Sequence, residues 1–274
     1  MSSINTISSD KLVRLVGTPK CPALIDVQTD EDFEADPRLI PGAVRRPWNQ
    51  TSEWAGEFMD RSAVIICQKG LKISQGVAAW LRHEGVPANS LEGGALGWAQ
   101  AGLPMVPEAV LPPRDGQGRT VWVTRARPKV DRIACPWLIR RFVDPRAVFL
   151  FVTPSEVPAV AQRFGAAPFD IEGGDVFWSH RGERCTFDVM VEEFGLATEP
   201  LLRLATIVRG ADTARPDLAP EAPGLLAASL GLSRMYADDL EQLEAGMALY
   251  DAFYRWCRDA TDETHNWPVR KPGA

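Results

Sequence analysis

The most reactive arrangement in this sequence is centred on Cys67. It ends the short apolar run Ala63–Cys67, and the loop after it contains Lys69, Gly70 and Lys72 before a helical pattern begins. A side chain at the carboxyl end of a buried strand lies where open α/β sheets bind their ligands. Inward-pointing loop amides, the helix N-terminus and the two lysines would together favour the thiolate, which is the nucleophilic form of cysteine. We therefore predict a nucleophilic Cys67 and an anion site in its loop; the alternative is a buried strand-end cysteine without chemistry.

Four motifs around this loop occur in the order and spacing of a rhodanese domain. They are Leu24-Ile25-Asp26-Val27, Ile40-Pro41-Gly42-Ala43, the loop C-Q-K-G-L-K, and the glycine-rich segment G-G-A-L-G-W-A-Q-A-G-L-P that begins at Gly93. Residues 8–106 therefore resemble the rhodanese family of sulfurtransferases. The resemblance implies that Cys67 takes a sulfane sulfur from a small anionic donor such as thiosulfate, holds it as a persulfide and passes it to a thiol acceptor. It also implies a donor-binding loop made of Gln68, Lys69, Gly70, Leu71, Lys72 and Ile73.

The loop length and three substitutions refine this expectation. Phosphatases of the same fold carry one more residue in the loop, whereas Cys67–Lys72 has the six-residue length of the sulfurtransferases. Lys72 stands where many rhodaneses have arginine, which keeps the charge but loses the bidentate geometry of a guanidinium. Gln28 and Leu39 replace an arginine and a histidine that are frequent in the family. We expect these differences to affect the choice of donor and the rate more than the nucleophile.

The second half of the sequence contains residues that could hold one metal ion. The stretches 179–188 and 209–213 supply nitrogen, sulfur and oxygen donors, although no pair has a zinc-finger spacing. The candidate ligands are His180, Glu183, Cys185, Asp188 and Asp212. Other roles are open for the same residues, since Asp188 could cap a helix and Asp212 could pair with an arginine.

A basic stretch precedes a predicted helix in the same half. Arg125, Arg127, Lys129 and Arg132 could bind an oxyanion, but a run of charges is also typical of a solvated face. Cys135 follows within the helix, and it is either a redox-active thiol or a residue packed in the core.

This half of the chain also resembles a known family. The segments W-V-T-R-A-R-P-K-V-D-R-I-A-C-P-W, H-R-G-E-R-C-T-F-D, L-R-L-A-T-I-V-R-G-A-D-T and L-G-L-S-R-M-Y-A-D-D look like the C-terminal domain of the chromate resistance protein B family, over residues 120–258. The resemblance implies a role in chromate sensing or detoxification, a divalent metal (zinc, iron or manganese) near His180 and Cys185, and Glu244 as a further ligand. It implies no transcriptional role, because a rhodanese-like region stands where the regulators of this family carry a DNA-binding region. No organic cofactor is expected.

The two resemblances together predict a rhodanese-type sulfurtransferase coupled to a metal-binding chromate-resistance domain. The alternative is a protein that binds or reduces an oxyanion such as chromate, in which the rhodanese domain has an accessory role. We predict domains at 1–106 and 120–260, separated by a linker rich in proline and glycine at 107–119 and followed by a polar tail at 261–274.

Apolar patterning predicts the elements that position these residues. In the first domain short buried strands alternate with helices, which is typical of an α/β fold with a parallel sheet flanked by helices. The second domain is predicted to be α+β and rich in helices towards its end. The predicted strands are Ala23–Val27, Ala63–Cys67, Asn89–Glu92, Thr120–Thr124 and Val148–Val152, and the predicted helices include Asp131–Phe142, Ser155–Phe164 and a long helix with an apolar stripe at Leu240, Leu243, Met247, Tyr250, Tyr254 and Cys257.

The composition limits the classes of partner. The chain has 274 residues, a net charge of −6 and a pI of about 5.2, which disfavours a nucleic-acid-binding surface. No apolar run approaches the roughly 20 residues that span a bilayer, and the first residues lack a secretory pattern. The five cysteines are scattered and contain no C-x-x-C pair, which favours free thiols in a reducing compartment. We therefore expect a cytoplasmic protein with small-molecule partners.

Overall fold

The first half of the chain is organised around a sheet of five parallel strands. The computed structural model of the protein describes residues 5–173 and 176–263. The sheet order is β1-β6-β5-β2-β4, so β5 is the central strand and Cys67 follows it at the carboxyl edge. The strands are β1 (Thr6–Ile7), β2 (Ala23–Asp26), β3 (Arg38–Leu39), β4 (Ala43–Arg45), β5 (Ala63–Ile66), β6 (Ala88–Leu91) and β7 (Val106–Pro107). The helices are α1 (Ser9–Leu12), α2 (Asp30–Ala35), α3 (Thr51–Trp54), α4 (Lys72–His83) and α5 (Gly94–Gln100), with 3-10 turns at Trp48–Gln50, Ala55–Phe58 and Glu108–Val110.

Strand β5 is buried on both faces because helices cover the two sides of the sheet. Val64 and Ile66 belong to the core on the side of Trp98 in α5, whereas Ile65 belongs to the core on the side of Leu81 in α4. This alternation is the period-2 pattern of a strand, and burial on both faces explains why the run is apolar throughout. The predicted α/β fold with a parallel sheet flanked by helices is confirmed.

The predicted linker at 107–119 makes regular contacts with the first domain. Strand β7, at its start, pairs antiparallel with β3, and Val110 and Leu111 pack against the core. Arg114 and Thr120 form an isolated bridge just before the second sheet begins. The segment rich in proline and glycine therefore forms little regular structure, but it packs against the first domain and does not extend freely into solvent.

The second half contains a small parallel sheet and six helices in the part that the structure describes. Its sheet order is β10-β8-β9, and β8 is the central strand. The strands are β8 (Val121–Arg125), β9 (Val148–Val152) and β10 (Ala167–Pro168). The helices are α6 (Asp131–Phe142), α7 (Val157–Phe164), α8 (Thr186–Glu193), α9 (Glu199–Asp212), α10 (Ala222–Met235) and α11 (Asp239–Asp259), with 3-10 turns at Pro154–Glu156 and Pro216–Leu218. The predicted α+β, helix-rich domain is confirmed.

Most of the stripe predicted on the last helix is core. Leu243, Tyr250 and Cys257 are buried on α11, and Tyr250 and Tyr254 pack against the ring of Trp137. Leu240 is an exception, because its position in the first turn of α11 leaves it 49% exposed.

The two halves of the chain are joined by close contacts at the end of α6. The amide of Gly42 donates a 2.6 Å hydrogen bond to the carbonyl of Phe142. The ring of Phe142 lies on Gly17, which has a φ of +76°, and a Cβ there would lie 2.1 Å from the ring. Residues of both halves consequently share one continuous core.

Some predictions fall partly or wholly outside the described residues. Positions 264–274 of the predicted tail are among these. Within 5–173 and 176–263, no helix is both long enough and apolar enough to cross a membrane. The five cysteines all carry free thiols, as their spacing predicts.

Replacing Gly17 should destabilise the protein through the contact between its halves. We expect Gly17→Ala to lower the free energy of unfolding by about 1–3 kcal/mol more than Gly102→Ala, measured by chemical denaturation. Gly102 is the matched control, since its φ is +69° and a methyl group added there would have no heavy atom within 4 Å. Equal losses in the two variants would mean that only the left-handed backbone matters and that the Phe142 contact contributes nothing.

Candidate functional site

The thiol of Cys67 lies at the carboxyl edge of the first sheet. The residue is 6% exposed, and its thiol donates a 3.2 Å hydrogen bond to the hydroxyl of Ser74 in the first turn of α4. That hydroxyl donates in turn to the carbonyl of Leu71 at 3.2 Å. Sequence analysis missed Ser74. Its place in the first turn of the helix after the loop is the sequence signal that could have indicated contact with Cys67.

The loop that follows Cys67 owes its shape to a close approach of backbone to backbone. Gly70 and Gly94 have φ values of +69° and +59°, and a Cβ at Gly94 would lie 2.1 Å from the carbonyl oxygen of Cys67. A Cβ at Gly70 would lie 2.2 Å from the carbonyl oxygen of Leu91. The amide of Ala95 donates to the Cys67 carbonyl at 3.0 Å. The glycines of the predicted fourth motif therefore hold the loop in place.

The lysines of the loop remain free to attract an anion. Lys69 and Lys72 are exposed, and in the part of the chain that the structure describes neither forms an ion pair with a carboxylate. Lys72 is also the first residue of α4, whose N-terminus carries a partial positive charge. Gln68, Leu71 and Ile73 complete this short segment.

A buried carboxyl group lies on the strand next to β5. Asp26, at the end of β2, is 1% exposed and accepts hydrogen bonds from the amide and the side chain of Gln28 at 3.0 and 2.9 Å. Burial raises the pKa of Asp26 to about 6, and the hydrogen bonds from Gln28 oppose this shift. Gln28, which replaces a frequent arginine of the rhodaneses, thus serves as the partner of Asp26.

A second group of functional side chains surrounds His180 at the carboxyl edge of the second sheet. The Nε2 atom of His180 lies 3.3 Å from Asp170 Oδ1, 3.3 Å from Asp212 Oδ2 and 3.6 Å from Asp131 Oδ2. Asp131 is the first residue of α6, Asp212 is the last of α9, and Asp170 follows β10. We call these four residues the carboxylate–histidine cluster.

The charges of this cluster are mutually dependent. Burial, together with the charges of Asp212 and Asp170, raises the pKa of Asp131 well above its usual value. Hydrogen bonds with Asp170 and Asp212 raise the pKa of His180 to about 10. Burial also raises the pKa of Asp170, but the hydrogen bond from His180 and the charge of Arg132 outweigh it and leave the pKa below its usual value. Without another cation, the cluster therefore favours a proton on both His180 and Asp131.

The cluster has the donor set of a divalent-metal site. Asp131, Asp170 and His180 each offer a ligand atom within 4.8 Å of the others. The Oδ1 atom of fully buried Asp131 has no hydrogen-bond partner among the described residues. Carboxylate oxygens with one imidazole suit manganese, iron or zinc. The residues fit such an ion, which would take the place of the protons on His180 and Asp131.

Only part of the predicted ligand set belongs to this cluster. His180 and Asp212 belong to it, and hydrogen bonding with the buried Cys185 thiol lowers the pKa of Asp131, against the larger effect of burial. The other three predicted ligands have different partners. Glu183 lies 3.3 Å from Arg215, and Glu244 pairs with Arg140. Asp188 accepts hydrogen bonds from Arg209 at 2.8 Å and from the Cys185 amide at 3.0 Å. Sequence analysis missed Asp131 and Asp170 as candidate ligands, because no other candidate ligand lies near either of them in the sequence.

Two of the four predicted oxyanion-binding residues reach the cluster. The Nε atom of Arg132 lies 3.2 Å from Asp170 Oδ2, and the Nη2 atom of Arg125 lies 3.7 Å from it. Arg127 instead donates to the carbonyls of Ser233 and Tyr236 near the end of α10. Lys129 is exposed.

Strained backbone supports the cluster. Val130 precedes Asp131 with a φ of +34°, which is rare for a β-branched residue. The hydroxyl of Ser229 accepts from the Val130 amide and the hydroxyl of Tyr250 donates to its carbonyl, both at 2.9 Å. Asp170 also has a positive φ, +48°. Such strain persists only where neighbouring groups hold it, and it is concentrated at functional sites.

The thiols of the second half are shielded. Cys135 and Cys185 are fully buried, and burial together with the nearby carboxylates raises both pKa values well above the usual range for a thiol. Burial raises the pKa of Cys257 to about 11. These thiols stay protonated at neutral pH, which disfavours a nucleophilic role for Cys135.

The fold and the Cys67 loop define the first half as a domain of the rhodanese class. Comparison with known families agrees: residues 8–101 match the family described as "Rhodanese-like domain", and residues 122–257 match "ChrB, C-terminal domain". The chain therefore consists of a rhodanese-like domain followed by a ChrB C-terminal domain.

The individual proteins that are similar to this chain each match only a part of it. Protein ChrB of Cupriavidus metallidurans is 38% identical over 144 residues, which are 52% of this chain and 42% of that protein. The chain thus spans less than half the length of this relative. A sulfurtransferase of Allochromatium vinosum is 28% identical over 104 residues, which are 38% of this chain and 95% of that protein. A solved thiosulfate sulfurtransferase of Pseudomonas aeruginosa is 25% identical, with a TM-score of 0.35, over 39% of this chain and 20% of that one.

The buried carboxyl group beside β5 should make stability fall as the pH rises. The pKa of Asp26 is about 6 in the folded protein against an ordinary value of 3.8, so its contribution is fully present below 3.8 and is lost as the pH rises through 6. Between pH 4.5 and 7.5 we expect wild type to lose about 2 kcal/mol relative to Asp26→Asn, measured by urea denaturation. Asp10→Asn, at an exposed position, is the control and should follow wild type. If Asp26→Asn has the same pH profile as wild type, Asp26 is already ionised at acidic pH.

Proposed function

We propose that this protein is a sulfurtransferase in which Cys67 carries sulfane sulfur as a persulfide. The observation that carries the proposal is the position of Cys67 at the carboxyl edge of the central strand, in a glycine-shaped loop whose two lysines have no carboxylate partner in the described part of the chain. The rhodanese-like family match and the sulfurtransferase among the similar proteins support the same class of reaction.

The proposed reaction has two displacements at sulfur. The Cys67 thiolate attacks the outer sulfur of a thiosulfate-like donor, the donor's S–S bond breaks, and sulfite leaves with the bonding electron pair. Lys69, Lys72 and the loop amides hold the anionic donor and the charge that develops during attack. A thiolate acceptor then attacks the terminal sulfur of the persulfide, which restores the Cys67 thiolate. Ser74, which now accepts the thiol proton, is positioned to donate its own proton to the sulfur once Cys67 is ionised.

The acceptor in this proposal is a separate thiol. Cys135, Cys185 and Cys257 of the second domain are all buried, and their raised pKa values keep them protonated at neutral pH. An acceptor must reach the terminal sulfur as a thiolate, so a thiol from solution fits better than one of these cysteines.

Sulfur transfer should depend on Cys67 alone among the cysteines. We expect Cys67→Ser to lower the rate of transfer from thiosulfate to a thiol acceptor at least about a thousandfold. Mass spectrometry after incubation with thiosulfate should find one extra sulfur on wild type and none on this variant.

Cys21→Ser is the matched control for this experiment. Among the five cysteines Cys21 is the one that is half-buried rather than buried, and burial raises its pKa to about 11, so it should carry no persulfide. A Cys67→Ser variant that still turns over like wild type would exclude the proposed reaction.

We further propose that the carboxylate–histidine cluster binds one divalent cation, zinc, iron or manganese. The supporting observation is the convergence of Asp131, Asp170 and His180, with Asp212 at 3.3 Å from the imidazole. A bound ion would supply a Lewis-acidic positive charge at this edge of the second sheet. Among the protein groups, Arg132 fixes Asp170, while Cys185 and the amide of Phe187 hold Asp131.

The alternative function, binding or reduction of an oxyanion such as chromate, has less support from the side chains. Arg125 and Arg132 both face Asp170, so their charge is partly neutralised, and Arg127 is engaged with backbone carbonyls. Cys135 is buried and protonated, which disfavours its action as a reductant.

Metal binding should depend on the cluster and not on the other predicted ligands. We expect elemental analysis to find about one zinc, iron or manganese ion per chain, and His180→Ala or Asp131→Asn to weaken its binding at least about tenfold in a calorimetric titration. Removal of the ion with a chelator should also lower the melting temperature of wild type.

Glu183→Gln and Glu244→Gln are the controls, because these two carboxylates pair with arginines away from the cluster. They should bind the ion as wild type does. Loss of the ion in these variants, with retention in His180→Ala, would place the metal elsewhere.

A further inference from the structure

A cavity of about 760 Å³ lies between the two domains, at the opposite edge of the first sheet from Cys67. On the first domain it is lined by the segment 18–24, which enters β2, and by Arg61 and Ser62, which precede β5. On the second domain it is lined by Arg140 and Arg141 in the last turn of α6, and by the loop that follows. Neither proposed reaction site uses any of these residues.

The wall of this cavity has an excess of positive charge. Five cationic side chains line it, Lys20, Arg61, Arg140, Arg141 and Arg146, against the two carboxylates Glu57 and Glu244. Three carboxylates neutralise part of this charge: Glu244 pairs with Arg140, Asp251 with Arg141, and Glu57 with both Arg46 and Arg146.

Two of the cations are left without a carboxylate partner in the described part of the chain. Arg61 donates only to the carbonyl of Cys21, at 3.1 Å, and Lys20 is exposed. Arg46 and Arg146 share one carboxylate, so the cavity and its immediate partners carry an excess of three positive charges, six cations against three carboxylates. The whole chain has a net charge of −6, and a concave surface of the opposite sign concentrates the field that attracts anions.

A purely structural role explains only some of these charges. Arginines in the last turn of a helix interact favourably with its dipole, which accounts for Arg140 and Arg141. It does not account for Lys20 and Arg61, which lie in loops of the other domain and converge on the same space.

The size and the apolar part of the wall specify the ligand class. A volume near 760 Å³ falls in the range of sites for small organic molecules, and it exceeds the needs of a single inorganic anion. Val44, Phe58 and Met247 supply apolar contact beside the cations. We propose that this interdomain cavity binds a small organic polyanion, a molecule with an apolar body and at least two negative charges.

The cavity contains its own reporter, the thiol of Cys21. This half-buried cysteine lines the wall; burial raises the pKa of its thiol to about 11, and the charges of Arg61 and Arg141 oppose that shift. A ligand that fills the cavity should therefore block access to Cys21.

The proposal can be tested on the full chain with bis-ANS, a dianionic dye with a large aromatic body. We expect one saturable site that slows alkylation of Cys21 by iodoacetamide at alkaline pH, where enough of this thiol ionises to react. Mass spectrometry of wild type and Cys21→Ser identifies the labelled residue. Lys20→Glu/Arg61→Glu should weaken dye binding at least about tenfold and abolish protection of Cys21. Lys20→Gln/Arg61→Gln should give an intermediate affinity and is the variant to use if charge reversal perturbs folding.

Lys11→Glu/Arg163→Glu makes the same change in net charge at exposed positions outside the cavity, and it should bind the dye within about twofold of wild type. Equal affinity in wild type and both Lys20/Arg61 variants, or dye binding that leaves Cys21 alkylation unchanged, would overturn the proposal. Equal weakening in the Lys11/Arg163 control would overturn it too, because net charge alone would then explain binding. None of these readouts depends on sulfur transfer or on a metal ion.

Discussion

Helix α6 is buried along almost its whole length, and this burial determines where the functional groups of the second domain lie. Trp137 at its centre is fully buried, and its indole donates to Asp251 at 2.8 Å. The same carboxylate receives two hydrogen bonds from Arg141, so one residue of α11 fixes both the middle and the end of α6. The helix therefore presents Asp131 to the carboxylate–histidine cluster at one end and Phe142 to the first domain at the other. Because the axis has a rise of about 1.5 Å per residue, these ends are separated by less than about 20 Å.

At the start of α6, burial influences the protonation of the carboxylate–histidine cluster. Three carboxyl groups surround one imidazole, and a fully buried carboxylate without a compensating charge is costly. In the absence of an ion, protonation reduces that cost, which is why the pKa of Asp131 is raised while that of Asp170, beside His180 and Arg132, is lowered. The strain at Val130 and Asp170 adds a further cost, and the folded state tolerates it only because Ser229, Tyr250 and Arg132 hold both segments. A divalent cation, as proposed above, would relieve this charge conflict, and that is the physical argument for a ligand at this site.

Sequence patterns predicted the elements of this protein more completely than its polar contacts. The bounds of α6 and β9 agree with the prediction because apolar periodicity and the following Asp144-Pro145 step are local signals. The position of Cys67 was equally predictable from the sequence, since the strand, the glycine and the two lysines that mark it follow one another along the chain. The cluster was not, because Asp131, Asp170, His180 and Asp212 come from four separate segments. Glu183 and Glu244 illustrate the converse: their chemistry suits a metal, but the partners that engage them, Arg215 and Arg140, are distant or on another helix.

The two edges of the first sheet have different relations to the second domain. At the amino edge, α6 and the loop after it lie across from the entry to β2, with the interdomain cavity between them. At the carboxyl edge, Leu71 is 57% exposed and Leu96 is 43% exposed beside the Cys67 loop, and no described residue of the second domain is hydrogen-bonded to that loop. In the proposed reaction a donor would therefore approach Cys67 at an edge where two exposed leucines flank the loop. In the proposed reaction the buried cysteines of the second domain do not deliver a thiol, and the core that the two domains share is what connects that domain to the first.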